Sequence, residues 1–425
     1  MTHKKKPLWQ SPWKYRESIL FLAGLFLIGI VLQITTGEFP YSILIFPVNL
    51  YCGIFILLAL LLSSLWSTNP VYQWISGIPF SVTIIGFLLL LTLIMGITPQ
   101  LAFTQSIKPD DLIMRLGFRN MTSSWPFVII YFFTLISLGA LTIRRLKKFK
   151  WSDYAFHLNH IGLWILLFFS GLGAADIKRF QMYVEEGETQ WRVFNQNKEA
   201  LELPIAIKLN DFIMEEYEPK LVIIDKKGIP LPEKNPVYFQ IDKKNPSGML
   251  AENYEVQVKK YIHDAMRQGE EYKEIKMTGS CPAALVVVTD KKTGKKQEGW
   301  ISSGSPYILY KTMHLSEDLL LVMTQPEPKK FVSDIVAYVR PDSENEKAQA
   351  IPFLLEVNKP LKIGDWTIYQ YGYDTNAGKL SNYSSFELVY DPWVIYVYIG
   401  MTLLACGCIC LLWKGNKKNK NYDLG

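Results

Sequence analysis

The sequence predicts an α-helical membrane protein with six spans and a large, mainly antiparallel β domain between the fifth and sixth spans. Two observations support this fold class. Six apolar runs have the length of bilayer-spanning helices, which is roughly 20 residues. Residues 176–392, by contrast, carry short alternating or β-branched segments separated by turn residues, a pattern typical of strands.

The apolar runs cover residues 19–34, 43–65, 79–97, 126–143, 154–175 and 393–413. The first run follows a basic tail that contains Trp9 and Trp13, which is an interfacial pattern. It lacks a small-residue cleavage site, so we interpret it as an uncleaved anchor rather than a signal peptide.

The charged residues predict the orientation of the spans. Basic residues cluster in the N-terminal tail, in the loop 144–150 and in the C-terminal tail. Because Lys and Arg in short loops stay in the cytoplasm, we expect both termini and this loop on the cytoplasmic side. The loop 98–125 carries both charge signs and is expected outside, together with residues 176–392.

These patterns divide the chain into six predicted parts. They are a three-span region at 1–97, an outer loop at 98–125, a two-span hairpin with a histidine site at 126–175, an outer β domain at 176–392, a last span at 393–413 and a basic cytoplasmic tail at 414–425. The β domain is long enough to hold a core of its own.

Nine segments of the outer domain are predicted as strands: IAIKL, LVIID, VYFQI, YEVQVKKY, ALVVVTD, LLLVM, IVAYV, WTIYQYGY and FELVYD. The segment LVVVTDKKTGKKQEGWIS predicts a hairpin with Gly294 at its turn. Since no segment there repeats apolar residues at the helical period, we expect a sandwich or a pair of sheets.

Charge and cysteine content exclude several functions. The formal charge of +6 is concentrated at helix ends and tails, which indicates topology, and without a nucleic-acid-binding motif we expect no nucleic-acid partner. Four of the five cysteines lie in predicted spans, so Cys281 has no disulfide partner outside. Neither C-x-x-C-H nor C-x-x-C occurs, which argues against a c-type cytochrome and a thioredoxin-like reductase. Cys406, Cys408 and Cys410 are expected to serve as small packing residues.

The candidate site is the histidine pair His157 and His160, which follows the basic cluster 144–150 and begins the fifth span. Ionisable residues inside a membrane mark functional sites by default. Neutral imidazole is a good axial ligand for haem iron. Residues three apart share one helix face, so this pair cannot grip both faces of one haem. The alternatives are an interhelical hydrogen bond for His160 and interfacial hydration for His157.

Three stretches carry a family resemblance: FHLNHIGLWILLFFSGLGAADIKRF, then EVNKPLKIGDWTIYQYGYD, then FELVYDPWVIYVYIGMTLLACG. In these the chain resembles the ResB (CcsB) family of System II cytochrome c biogenesis, over residues 125–413. The resemblance implies a protein of the cytoplasmic (inner) membrane with residues 176–392 in the periplasm.

The resemblance also implies partners and a cofactor. ResB-like proteins work with a tryptophan-rich ResC (CcsA)-like membrane protein to carry haem across the bilayer and attach it to apocytochrome c. The family's membrane histidine falls on His160, as an axial ligand of haem iron, with His157 in reserve. Haem b would be held transiently and shared with the partner. The chain would be a subunit of a cytochrome c haem lyase that is not self-sufficient, without catalytic residues of its own.

The sequence departs from that family in two ways. It has an extra pair of N-terminal spans, and it lacks a tryptophan-rich segment. Two other functions stay open: the membrane subunit of a haem b quinol oxidoreductase, and a haem-free membrane-anchored binding or assembly module. In the β domain, the aromatic segment Trp366–Tyr373 is a candidate contact surface, with burial in a sheet core as the alternative.

Overall fold

The computed structural model describes residues 9–100, 111–194, 200–241, 246–251, 253–340 and 348–418. The chain forms two compact units: a membrane unit, Met1–Lys178 with Tyr390–Gly425, and a β unit, Arg179–Val389. The start of the N-terminal tail, residues 101–110 of the loop 98–125 and the end of the C-terminal tail lie outside the described residues.

The helices of the membrane unit are α1 Tyr15–Thr36, α2 Val48–Ser63, α3 Pro70–Ile75, α4 Ile78–Ile97, α5 Leu112–Arg115, α6 Trp125–Leu146, α7 Tyr154–Gly173 and α8 Val394–Lys418. Six helical segments of the described chain are long and apolar enough to cross a membrane. They coincide with the six predicted spans, so the span count is confirmed.

Proline and capping residues set several helix starts. The second span begins at Val48, later than hydropathy predicts, because Pro47 precedes the helix and residues 41–44 form a separate turn. Ser124 caps α6, with its Oγ accepting from the Phe127 N–H at 3.4 Å, and Pro126 follows in the first turn. The short helix α3 lies in a loop where the sequence predicted none; Asn69 caps it by accepting from Val71 N.

The extra N-terminal spans share the core of the membrane unit. Buried side chains of α1, α3, α4 and α6 form one cluster that includes Leu22, Phe80 and Ile130. Trp74 lies in this cluster and donates from Nε1 to Ser18 Oγ at 2.9 Å. Helices α1, α3 and α4 are therefore integral to the membrane unit, since their apolar side chains complete its interior.

The described residues of the β unit form seventeen strands: β1 Lys178–Glu185, β2 Thr189–Phe194, β3 Ala200–Glu216, β4 Lys220–Asp225, β5 Phe239–Gln240, β6 Ser247–Leu250, β7 Tyr254–Gln268, β8 Glu271–Glu274, β9 Cys281–Asp290, β10 Lys296–Ser302, β11 Met313–His314, β12 Leu319–Met323, β13 Pro328–Val339, β14 Gln349–Glu356, β15 Leu361–Ile363, β16 Trp366–Tyr373 and β17 Tyr383–Tyr390. The predicted hairpin is confirmed: β9 pairs with β10 in antiparallel register, and Gly294 at the turn has φ +71°.

Among the described residues of the β unit, four sheets enclose two main cores. Two sheets, with strand orders β1-β17-β16-β15 and β14-β13-β3-β2, surround the first core, which contains Ile207, Ile335 and Phe386. Two further sheets, with strand orders β10-β9-β7-β6 and β11-β12-β4-β5, surround the second core, which contains Ile223 and Val286. Strand β8 pairs with β7 in the first of these. The region is thus mainly antiparallel β, as predicted, but its buried residues separate into two large clusters and a smaller third one, Ile262, Ala265, Tyr272 and Ala283, rather than the single core of one sandwich.

Candidate functional site at the start of the histidine helix

The loop between α6 and α7 brings basic and aromatic side chains to the start of the histidine helix. Arg144 and Arg145 occupy the last turn of α6. Beyond them the chain is exposed as far as Trp151, whose ring packs edge to face on Phe149 with 5.6 Å between centroids. We call residues 144–151 the basic-aromatic loop.

His157 is enclosed by aromatic rings one turn into α7. Only 5% of its surface is exposed, and its ring centroid lies 5.2 Å from that of Phe149 and 5.5 Å from that of Phe156. Its Nδ1 is buried and has no hydrogen-bond partner among the described residues. The ring is therefore packed rather than hydrated, and leaving this nitrogen unpaired costs about 1–3 kcal/mol.

His160 has a different environment. It is half-buried, and its ring stacks on Phe156 with 3.8 Å between centroids and 25° between planes. Its Nδ1 lies 3.0 Å from the Phe156 carbonyl oxygen. Because a carbonyl only accepts, Nδ1 carries the proton in this bond, and the Nε2 of the neutral ring keeps its lone pair.

This arrangement prepares His160 to bind a metal. A ligating histidine usually donates its other ring N–H to a carboxylate or a backbone carbonyl, which fixes the tautomer and the ring orientation. Within the described residues, Nε2 of His160 has no protein hydrogen-bond partner. Arg145 lies close by, with its guanidinium carbon 5.5 Å from the Phe156 centroid.

An apolar groove opens beside the same helical turn. It has a volume of about 570 Å³ and is lined by Phe149, Trp151, Tyr154, His157, Leu158 and Ile161. This volume is within the range of small-molecule sites, roughly 300–1,000 Å³. The walls are almost wholly carbon, and the Nδ1 of His157 is buried.

The histidine helix packs against α8 through glycine. A Cβ added at Gly162, Gly400 or Gly407 would lie less than 3.0 Å from backbone atoms of the facing helix. Asn159, one residue before His160, donates from Nδ2 to Cys408 Sγ at 3.0 Å. Close backbone approach through small residues is how membrane helices associate. The last span therefore fixes the face of α7 next to the histidines.

Small residues late in α7 also serve contact between helices. Gly171 and Gly173 lie in the last turn of α7, where small residues allow either close helix packing or room for a flat ligand. An added Cβ at Gly171 would meet the ring of Tyr131, and one at Gly173 would meet Trp393. The space beside these glycines is thus filled by aromatic side chains of this chain.

A buried carboxylate at the far end of α7 was not predicted as a functional residue. Asp176 is buried and accepts from Asn49 Nδ2 at 2.7 Å, from Phe46 N at 2.9 Å and from Trp393 Nε1 at 2.6 Å. Asn49 also donates to Leu172 O at 3.0 Å. One feature of the sequence could have indicated this role: Asp176 directly follows the apolar run 154–175, and a charge at the end of a membrane span needs partners.

The other candidate residues form no site with the pair. Cys406 and Cys408 are exposed on α8 rather than packed inside, whereas Cys281 is buried in the β unit. His314 is exposed, and His263 Nδ1 lies 3.1 Å from Tyr261 Oη. In the part of the chain that the structure describes, no group of three or more His, Cys, Asp or Glu could hold a metal ion.

The aromatic segment Trp366–Tyr373 divides between core and surface. Ile368 is buried in the first core, and Tyr373 stacks on Phe212 with 5.3 Å between centroids. Tyr369 and Tyr371 are exposed. Only these two tyrosines of the predicted contact surface are available to a partner.

Comparisons with known proteins add little. No protein-family profile matches the chain, and no curated protein matches it. Among solved structures, the chain is similar to one described as "Cytochrome c Heme Lyase CcmF", with 11% sequence identity and a TM-score of 0.20. The match covers 86% of this chain and 45% of that one, so the chain spans less than half of its length. A TM-score this low supports no conclusion about this chain.

Proposed function

We propose that this chain is a ResB-like component of a System II cytochrome c synthase. In this role it helps to move haem across the cytoplasmic membrane and to present it for attachment to apocytochrome c, together with a tryptophan-rich ResC (CcsA)-like partner. The proposal includes the topology: both termini and the basic-aromatic loop in the cytoplasm, and residues 176–392 outside.

The observation that carries the proposal is the hydrogen bond from His160 Nδ1 to the Phe156 carbonyl, 3.0 Å long. It holds the imidazole as the tautomer whose Nε2 lone pair is free for iron. Stacking on Phe156 further restricts the ring. His160 would therefore be able to hold a haem through its Nε2.

This chain supplies one ligand only. His157 is on the same helix, and its Nδ1 is enclosed by aromatic rings, so it does not reach the opposite face of a haem held by His160. No other membrane span contains a histidine. We therefore assign the second ligand to the partner, and His157 to the packing around the first.

The rest of the site controls access and position. When bound, haem supplies the iron and the vinyl groups that become linked to cysteine. Phe156 covers one face of the His160 ring and excludes water from it. The glycine contact between α7 and α8 holds this turn of the helix in place. Reduced iron and reduced thiols are needed for thioether formation, and a water-poor site favours both.

The test is haem content of the complex purified with its partner. His160→Gly should lose most of the haem absorbance in a reduced-minus-oxidised spectrum and should abolish cytochrome c maturation. Added imidazole should restore part of the absorbance, because it replaces the missing ligand without repairing any other defect. His263→Gly, in the β unit, serves as the control and should keep its haem.

Other outcomes would reject the assignment. Unchanged haem absorbance and normal maturation in His160→Gly would exclude His160 as a ligand. Haem retained by this chain purified alone would favour the haem b subunit of a quinol oxidoreductase. A complex that never contains haem would favour a membrane-anchored assembly module.

We also propose that the β unit contacts the partner or the apocytochrome through Tyr369 and Tyr371 of β16. Both side chains are exposed, and Ile368 of the same strand is buried in the first core, which holds the strand in place. Tyr369→Ser/Tyr371→Ser should weaken capture of an apocytochrome c peptide, while Tyr238→Ser, an exposed tyrosine elsewhere in the β unit, should not. Equal capture by both variants would reject this surface.

A further inference from the structure

The basic-aromatic loop combines positive charge with exposed aromatic rings. Lys148 and Lys150 flank Phe149, and Trp151 follows with 82% of its surface exposed. Among the residues that the structure describes, none of the five cations of this loop forms an ion pair with a carboxylate. The nearest acidic residue in the chain is Asp153, whose Oδ1 accepts from Ser152 Oγ at 3.1 Å.

Three of these cations are already engaged with the protein. Lys147 Nζ donates to Ser64 O at 2.5 Å, and Arg144 donates to Gln73 O at 3.4 Å. Arg145 lies over the ring of Phe156. Lys148 and Lys150 are exposed and remain available to an anion from outside the chain.

The apolar groove adjoins the two available lysines, because residues next to them in the sequence form part of its walls. Phe149 and Trp151 belong both to the loop and to the walls of the 570 Å³ groove, which continues along α7 to Leu158 and Ile161. A ligand that fills both parts must carry a negative group at one end and a narrow apolar body at the other. The Nδ1 of His157 is buried and the walls of the groove are almost wholly carbon, so the groove suits an apolar body.

We propose that the groove and the loop together bind an anionic phospholipid, with its phosphate at Lys148 and Lys150 and an acyl chain along Leu158 and Ile161. Juxtamembrane lysines attract anionic lipids, and exposed Trp side chains favour the headgroup region. A free phosphate would leave the apolar groove unused. This site is distinct from the haem-binding position at His160 and does not depend on it.

The experiment is native mass spectrometry of the full chain, purified in detergent and titrated with phosphatidylglycerol or phosphatidylcholine. Wild type should retain phosphatidylglycerol in preference to phosphatidylcholine. Lys148→Gln/Lys150→Gln should weaken phosphatidylglycerol binding about 30-fold, which corresponds to about 1 kcal/mol for each lysine, and leave phosphatidylcholine binding unchanged. The control is Lys14→Gln/Arg16→Gln, which removes two exposed charges at the start of α1 and should retain wild-type binding.

A second variant tests the groove without changing its charge. Leu158→Trp fills the apolar floor and should weaken phosphatidylglycerol binding at least about tenfold, with the elution volume in size exclusion unchanged. Wild-type binding by both variants would overturn the proposal. Equal retention of the two lipids by wild type, or displacement of phosphatidylglycerol by haemin, would overturn it as well, the latter in favour of haem in the groove.

Discussion

The indole of Trp393 donates to the buried carboxylate of Asp176, with 2.6 Å between Nε1 and Oδ2. These residues are 217 positions apart and flank the two ends of the β unit in the chain. Asn49, at the start of α2, joins the same carboxylate. One buried aspartate thus links the second, fifth and sixth spans: Asp176 follows the fifth span and accepts hydrogen bonds from Asn49 in the second and from Trp393 directly before the sixth.

We predict that Trp393→Phe destabilises the membrane unit by about 1–3 kcal/mol, the cost of removing one partner from a buried charged acceptor. The phenyl ring retains the packing against Gly173. Trp413→Phe, at an exposed side chain of α8, is the control and should have no effect. Unfolding in a mixed detergent titration gives both values. An equal loss in the two variants would show that the Asp176 hydrogen bond contributes nothing specific.

Alanine at Gly162 or Gly400 should separate α7 from α8. The added methyl group meets backbone atoms, which cannot move aside, and overpacking of this kind costs roughly 1–3 kcal/mol. Gly86→Ala, in α4, is a matched control because a Cβ there meets nothing within 4 Å. That control should be neutral or stabilising by up to about 1 kcal/mol, since Ala is the better helix former. Thermal denaturation followed by size exclusion measures the difference, and similar melting temperatures in all three variants would contradict the close contact.

The thiol of Cys281 should be unreactive in the folded protein. Its surface is 1% exposed, and burial raises its pKa, so little thiolate forms at pH 8. Iodoacetamide should modify it at least about 100-fold more slowly than a cysteine introduced at the exposed Leu309, as measured by peptide mass spectrometry.

The same pKa shift has a consequence for stability. The folded state holds the thiol proton more tightly than the unfolded state, so this group stabilises the fold below the unfolded pKa. That contribution should be lost as pH rises through the alkaline range. Cys281→Ala should reduce this alkaline loss, and an identical pH dependence in the variant and wild type would assign the loss to other groups.

Substitutions on the two faces of β16 should change the free energy of unfolding by different amounts. Ile368→Ala removes a fully buried side chain from the first core and should cost about 2–5 kcal/mol. Tyr371→Ser, at a position 57% exposed, should change stability by less than about 0.5 kcal/mol. Urea unfolding of the full chain in detergent, followed by the near-ultraviolet signal of the β unit, tests both. Comparable losses would show that Tyr371 is part of the core.

The amino-acid sequence is sufficient to predict the six spans, the strand-rich character of the region between the last two, and the hairpin around Gly294. Each depends on residues close together in the chain: an apolar run of sufficient length, alternation along a strand, or a glycine where φ must be positive. These properties are local, so they can be read without knowing the partners of a residue.

Contacts between residues that are distant in the chain could be identified from the folded structure but not from the sequence. Gly162 faces Gly400 and Leu404, Asp176 meets Asn49 and Trp393, and the β pattern separates into two cores rather than one. The different environments of His157 and His160 also follow from the folded structure, because their positions on one helix face do not reveal which aromatic rings surround each imidazole. Hydropathy describes how a segment partitions into lipid, whereas partner choice depends on packing between segments that are distant in sequence.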